Sequence, residues 1–126
     1  MIRLVALLLV CAPALASADK SYMDGKGGTW DCAKDPQVSI MANEGTYTIK
    51  GACKAINVQG NKNKIAVDSA DQINVTGNDN MVAAVAVDQI NASGNKNTVT
   101  YKKAVADKGK TQVNSLGTDN KISQAK

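Results

Sequence analysis

The sequence predicts an all-β fold, a short β-solenoid resembling a parallel β-helix, with about four 17-residue coils and an N-terminal cap. A repeated string is the first observation that predicts it. Gly-Asn-x-Asn begins at Gly60, Gly77 and Gly94, seventeen residues apart, and a weaker copy begins at Gly117, after twenty-three residues. The second observation is an apolar-x-apolar strand, or its remnant, ahead of each copy. A fixed short period indicates one structural unit stacked several times.

Aligned on this period, the repeats form columns of similar residues. Isoleucine or valine stands four residues before each glycine and again five residues after it. In a solenoid, equivalent residues of consecutive coils lie about 4.8 Å apart, so each column becomes a ladder. Identical amides then hydrogen-bond along the stack, and identical aliphatic side chains fill a uniform core.

The Gly-Asn-x-Asn string predicts the turn between the two short strands of each unit. Glycine supplies positive φ, and asparagine tolerates the left-handed region and hydrogen-bonds its own backbone. The predicted turn residues are Gly60, Asn61, Asn63, Gly77, Asn78, Asn80, Gly94, Asn95, Asn97, Gly117 and Asn120.

An antiparallel β-meander or sandwich is the alternative fold, because Gly-Asn pairs also suit hairpin turns. Two features favour the solenoid. An antiparallel sheet does not need the same residue at one register in every unit, whereas a stack does. The chain also has no phenylalanine, three tyrosines and one tryptophan, which leaves a sandwich core short of large side chains.

The N-terminus reads as a secretory signal peptide spanning residues 1–18. One positive charge at Arg3 is followed by an apolar run, and Ala16-Ser17-Ala18 fits the small-x-small pattern before a cleavage site. We expect cleavage between Ala18 and Asp19 and export to the periplasm, the cell surface or the medium. A lipoprotein leader would instead acylate Cys11, but Val10 stands where such leaders need a small residue.

The mature chain reads as one domain without a membrane span. A Gly-rich segment at 19–37 is expected to cap the first coil, and the β-repeat domain covers 38–126, with clear repeats over 56–122. The six extra residues before the fourth copy predict a loop near residues 107–110.

Cleavage leaves two cysteines, Cys32 and Cys53, in an oxidising compartment. One disulfide is therefore expected. It closes a loop of about 22 residues and contributes roughly 3 kcal/mol in the chain-entropy model.

Composition removes several classes of chemistry. The chain has no histidine and no arginine beyond Arg3. Ser-His-Asp and Cys-His catalytic systems and the usual transition-metal ligands are therefore missing. We expect no enzyme activity, no catalytic residues, no cofactor and no metal site. The formal net charge is +4, but the lysines are scattered, so no nucleic-acid footprint is expected.

Two sets of acidic residues have the spacing of functional sites. Asp71 and Asp88 share a column and would lie about 5 Å apart, as in a retaining glycosidase. Each also opens the turn before a repeated Asp-Gln-Ile-Asn strand, which accounts for its position structurally. Asp79, with Asp68, could offer oxygen ligands to calcium. Lysines take the place of Asp79 in the neighbouring repeats, which argues against a repeated cation site.

The repeats resemble those of a bacterial family, the domain-of-unknown-function family 3060. Its members carry a signal or lipoprotein leader, early cysteines and repeats of the form Ile-x-Val-x-Gly-x-x-Asn-x-Val. Here that form is read at 56–65, 73–82 and 90–99, and the resemblance spans about residues 30–122. It implies the fold and export but no activity.

These observations favour an exported, non-catalytic β-repeat protein that acts as a structural or binding module of the cell envelope, with an envelope component or a glycan as the candidate partner. A self-assembling fibre subunit is the alternative, because the glycine-punctuated Asn/Gln repeats resemble curli-type subunits. A polysaccharide-active β-helix enzyme is the third and weakest reading.

Overall fold

The computed structural model describes residues 20–22, 26–105 and 109–125. The predicted leader at 1–18, with Cys11, lies outside these residues. The described chain has strands and no helix. Its strands are β1 Lys20–Tyr22, β2 Gly28–Asp31, β3 Gln37–Met41, β4 Thr46–Asn61, β5 Lys64–Asn78, β6 Met81–Asn95, β7 Thr98–Lys103, β8 Gln112–Thr118 and β9 Lys121–Gln124.

Every strand pairing among the described residues is parallel. The register follows the sequence repeat: Ile56 pairs with Ile73, and Ile73 with Ile90. The strands therefore stack as a β-solenoid of about four coils, as predicted, and the antiparallel alternative is wrong.

The three long strands, β4 to β6, each bend and contribute to two faces of the solenoid. The N-terminal half of β4 pairs with β2, and its C-terminal half pairs with β3. At the other end, β6 pairs with both β7 and β8. The bend shows in the burial pattern of β5, where two exposed or half-buried residues, not one, separate Val67 from Ala70 and Ala70 from Ile73. Ala70 therefore occupies an inward-facing corner.

The core lies between the two faces and consists of stacked columns. Ile56, Ile73 and Ile90 are fully buried at 0% exposure, and each such burial stabilises the fold by about 1.5–3 kcal/mol. Valine and alanine fill the next inward column, with Val58, Val75 and Ala92 also buried. Uniform aliphatic columns explain why the chain needs few aromatic residues.

The glycine of each turn lets neighbouring coils approach closely. Gly77 has φ 131°, and a Cβ atom there would lie 1.8 Å from the carbonyl oxygen of Gly60 in the preceding coil. The same overlap recurs at Gly60, Gly94 and Gly117. Any side chain in this column would separate the coils, which explains why the glycine repeats.

The N-terminal segment continues the stack. β1 pairs with β3, and β2 pairs in register with β4 from Gly28 to Asp31. Trp30 packs, partly buried, against the core, and its Nε1 donates a hydrogen bond to the carbonyl oxygen of Asp35. The segment expected to cap the first coil thus supplies parallel strands of its own.

The insertion before the last repeat lies between β7 and β8. Ala104, Val105 and 109–111 lie outside strands, and residues 106–108 are not described. The chain then returns to the stack, where Val113 pairs with Ile90 and Ile122 with Val99. The loop therefore leaves the register of the last coil unchanged.

Cys32 and Cys53 form the expected disulfide, with 5.2 Å between their Cα atoms. Both are buried at 3% exposure. Cys53 pairs with Ala70, and Ala70 with Val87, so the bridge occupies the corner column of the core. It joins the first two coils covalently.

We expect the Cys32→Ala/Cys53→Ala double variant to lose about 3 kcal/mol of unfolding free energy, because the unfolded chain regains the entropy of a loop closed across 21 residues. Urea unfolding with and without reductant measures this. The double variant should be insensitive to reductant, whereas the parent chain should lose stability on reduction. Equal urea midpoints for the parent chain and the double variant in the absence of reductant would contradict the prediction.

Candidate binding surfaces

The turns place positive φ at a position that differs from the sequence prediction. The glycines have positive φ as expected, but the next left-handed residue is the variable one between the two asparagines. These residues are Lys62, Asp79, Lys96 and Asp119, with φ between 55° and 59°. Neither asparagine of any turn is among the positive-φ residues. The asparagines are therefore needed for their side chains.

The second asparagine of each turn points into the core. Asn63, Asn80 and Asn97 are fully buried at 0% exposure. Asn80 Oδ1 accepts hydrogen bonds from the Asn63 backbone N–H (3.1 Å) and Nδ2 (3.2 Å). Asn80 Nδ2 donates to Gly60 O (2.9 Å) and to Asn97 Oδ1 (3.1 Å). All four hydrogen-bonding positions of the side-chain amide are therefore used.

The first asparagine of each turn forms a second ladder at the surface. Asn61 Oδ1 accepts from both the backbone N–H and Nδ2 of Asn78, each at 3.1 Å, and Asn78 Oδ1 accepts from the Asn95 backbone N–H at 3.2 Å. These side chains are exposed. Both asparagines of one motif thus link neighbouring coils by hydrogen bonds, the second in the core and the first at the surface.

The variable turn residues form a column of alternating charge. Along the stack the residues are Glu44, Lys62, Asp79, Lys96 and Asp119, and all have positive φ. Lys62 Nζ lies 3.9 Å from Glu44 Oε1, with both side chains exposed. One such exposed pair contributes about 0–1 kcal/mol. The alternation keeps like charges out of adjacent coils.

One of the two aspartates with glycosidase-like spacing, Asp88, has a structural contact. Asp71 and Asp88 lie in consecutive coils between the pairs Ala70–Val87 and Gln72–Gln89. Asp88 Oδ1 accepts a 2.7 Å hydrogen bond from the Val105 N–H, at the start of the inserted loop. This contact supports a structural role for Asp88.

The calcium candidates are separated by the fold. Asp68 Oδ2 accepts a 3.3 Å hydrogen bond from the Gly51 N–H at the bend of β4, whereas Asp79 lies in a turn. In the described parts of the chain, no three His, Cys, Asp or Glu side chains lie close enough together to hold a metal ion.

A largely amide surface covers one side of the solenoid. We call it the Asn–Gln face: the outward side chains of 37–41, 55–59, 72–76, 89–93 and 112–116. Its central column hydrogen-bonds along the stack, with Asn74 Nδ2 donating to Asn57 Oδ1 and Asn91 Nδ2 to Asn74 Oδ1, both at 2.8 Å. Gln72 Nε2 donates to Asn74 Oδ1 at 3.1 Å. The amides are therefore held in fixed orientations.

The Asn–Gln face carries no charge. Each of its five layers presents three outward side chains, and none is Asp, Glu, Lys or Arg. The charged residues lie at the turns, at the corners and on the opposite face of the solenoid instead. The turn motif did not single out this face. Its signal in the sequence was the glutamine of the repeated Asp-Gln-Ile-Asn string, at Gln72 and Gln89.

A comparison with models of protein families identifies the family of this chain. The family model described as "Protein of unknown function (DUF3060)" matches residues 40–86 and 74–117. The chain belongs to the DUF3060 family. Its matched region covers β4 to β6 and reaches into β8, which are the strands that carry the in-register columns. No curated protein and no solved structure matches the chain significantly.

No helix in the described segments, 20–22, 26–105 and 109–125, is long and apolar enough to cross a membrane.

We expect Asn80→Ala to lower the free energy of unfolding by about 3–5 kcal/mol, because it leaves several buried polar groups of adjacent coils without partners. Asn78→Ala is the matched control: it removes the same side chain from the exposed ladder, where water replaces the lost contacts, and should cost about 1 kcal/mol or less. Chemical denaturation of both variants measures the difference. Equal losses would contradict the structural role of the buried ladder.

Proposed function

We propose that this DUF3060 protein is an exported, non-catalytic binding module of the cell envelope that binds neutral glycans through the Asn–Gln face. The uncharged character of that face carries the proposal. A surface of fifteen outward side chains without a charge is poorly suited to nucleic acid or another polyanion, which would need lysines or arginines. It suits a ligand that offers many neutral hydrogen-bonding groups.

The ladder supports the proposal because it orients the amides before any ligand arrives. Gln89 Nε2 donates to Asn91 Oδ1 at 3.5 Å, as Gln72 does to Asn74 in the coil below. The glutamine carbonyl oxygens and the hydroxyls of Thr76 and Ser93 then repeat at about 4.8 Å along the stack. A preoriented surface loses less conformational entropy on binding.

Export is supported by the leader pattern and by the disulfide. Disulfides persist in oxidising compartments, and the Cys32–Cys53 bridge is part of the core. The signal residues themselves lie outside the described part of the chain.

Export predicts a defined N-terminus. Protein recovered from the envelope fraction of the producing cell should begin at Asp19 by intact-mass spectrometry. A mature chain that retains residues 1–18, or that carries an acyl group on Cys11, would contradict this part of the proposal.

Glycan binding predicts a loss on changing the glutamines. On an array of envelope polysaccharides, Gln72→Ala/Gln89→Ala should weaken binding about 5- to 30-fold, the expected effect of losing two hydrogen-bonding side chains. Lys62→Ala, in the turn column, is the control and should bind as the parent does. Both variants should keep the parent melting temperature. Equal binding by the glutamine variant and the parent would refute the role of this face.

A fibre subunit is the second candidate, and the C-terminal coil favours it. All seven residues of β8 are exposed, and Leu116 is 71% exposed. Among the described residues, β8 pairs only with β6, and β9 only with β7. Such an edge can add a strand from another molecule. Thioflavin fluorescence that rises over days and is seeded by preformed fibrils would favour this function over glycan binding.

A further inference from the structure

A second surface, on the other side of the solenoid, contains an apolar groove of about 250 Å³. It runs along the stack, across the N-terminal halves of β4, β5 and β6 and onto β7. Four layers separated by three inter-strand spacings make it about 14 Å long. The groove is independent of the Asn–Gln face and of the glycan proposal.

Differences in side-chain size between two outward columns form the groove. In one column, Lys64 pairs with Met81, and these long side chains form a wall; Met81 is 52% exposed. In the next column, smaller residues leave the space open. They pair in register across four layers: Thr48, Ala66, Ala83 and Thr100.

The floor of the groove offers few hydrogen bonds to a ligand. It is the backbone of paired strands, whose N–H and C=O groups bond to the neighbouring coils. The side chains that line the groove are the small alanines and threonines of the open column, with the thioether of Met81 and the methylene stem of Lys64 in the wall. A segment lying in the groove must therefore be apolar and narrow.

The charge of the groove lining indicates which polar group a bound apolar molecule should carry at its end. Among the described residues that line the groove, Lys64 is the one charged side chain, and no carboxylate joins it. An anionic group beside the Lys64 ammonium would be attracted, whereas a cationic group would be repelled.

We propose that the groove binds a single-chain anionic amphiphile, with its alkyl chain along the alanine and threonine column and its acidic head group beside Lys64. A short chain, half buried in an open groove, should bind with a dissociation constant on the order of 0.1–1 mM. The head group can be a carboxylate or a phosphate, since Lys64 offers the same charge to both.

The test is a titration of the chain with sodium decanoate or decyl phosphate below the micelle concentration, followed by methyl NMR. We expect saturable shifts at Ala66 and Ala83 but not at Thr76 on the Asn–Gln face. Decyltrimethylammonium, the cationic analogue, should bind more weakly. A higher affinity for decanoate than for decyl phosphate, or the reverse, identifies the preferred head group.

Two variants separate the apolar and the ionic contributions. Ala83→Leu fills the groove and should weaken decanoate at least 10-fold, whereas Ala55→Leu, the same enlargement on the Asn–Gln face, should not. Lys64→Gln should weaken decanoate roughly two- to five-fold and leave the uncharged octyl glucoside unchanged. Thermal melts check that the variants fold. If Ala83→Leu does not fold, Lys64→Gln still tests the proposal by itself.

Several outcomes would overturn the proposal. They are shifts that do not saturate, equal shifts on both faces, equal binding of the cationic amphiphile, or no effect of Ala83→Leu in a folded protein. Saturation by cellotetraose in place of decanoate would assign the groove to a sugar. Shifts at Ala66 and Ala83 on dilution of the protein alone would assign it to self-association.

Discussion

The buried asparagine of each turn is the interaction on which the solenoid depends. A parallel stack must satisfy the polar groups of a tight turn inside its core, where water cannot reach them. Asn80 does so by bonding the coil before it and the coil after it with one amide. Its neighbour Gly77 allows the approach that those bonds need. A change at either position would therefore affect two coils beside its own.

Fixing the coils from within leaves the outward side chains free to differ. The Asn–Gln face uses that freedom to present a column mostly of asparagines beside a column mostly of glutamines, whereas its third column varies from Met41 to Leu116. The opposite face varies from coil to coil, with Lys64 and Met81 in one column. Two surfaces of different chemistry can thus be carried by one repeat, because the buried asparagines and the inward columns set the register of the coils.

The sequence predicted the structural features that recur in every repeat and missed those that do not recur. The parallel stack with its inward aliphatic columns was confirmed, since identical residues occupy identical places in each coil. The left-handed residue was assigned to asparagine on intrinsic preference, but Asn63 is needed in the core and Asn61 in the surface ladder. Lys62 therefore takes the strained conformation, at about 1–2 kcal/mol. The strands β1 and β2 lie outside the repeated sequence, and the groove arises from dissimilar residues, so neither had a repeated signal.

The alternating column from Glu44 to Asp119 bears on how such a chain can lengthen. Duplicating one 17-residue coil would place two like charges in neighbouring layers, about 4.8 Å apart. Duplicating two coils together would preserve the alternation, the buried asparagines and the glycines at once. If the chain lengthens by internal gene duplication, adding two coils at once therefore brings no like charges together. That unit is twice as long as the 17-residue glycine repeat.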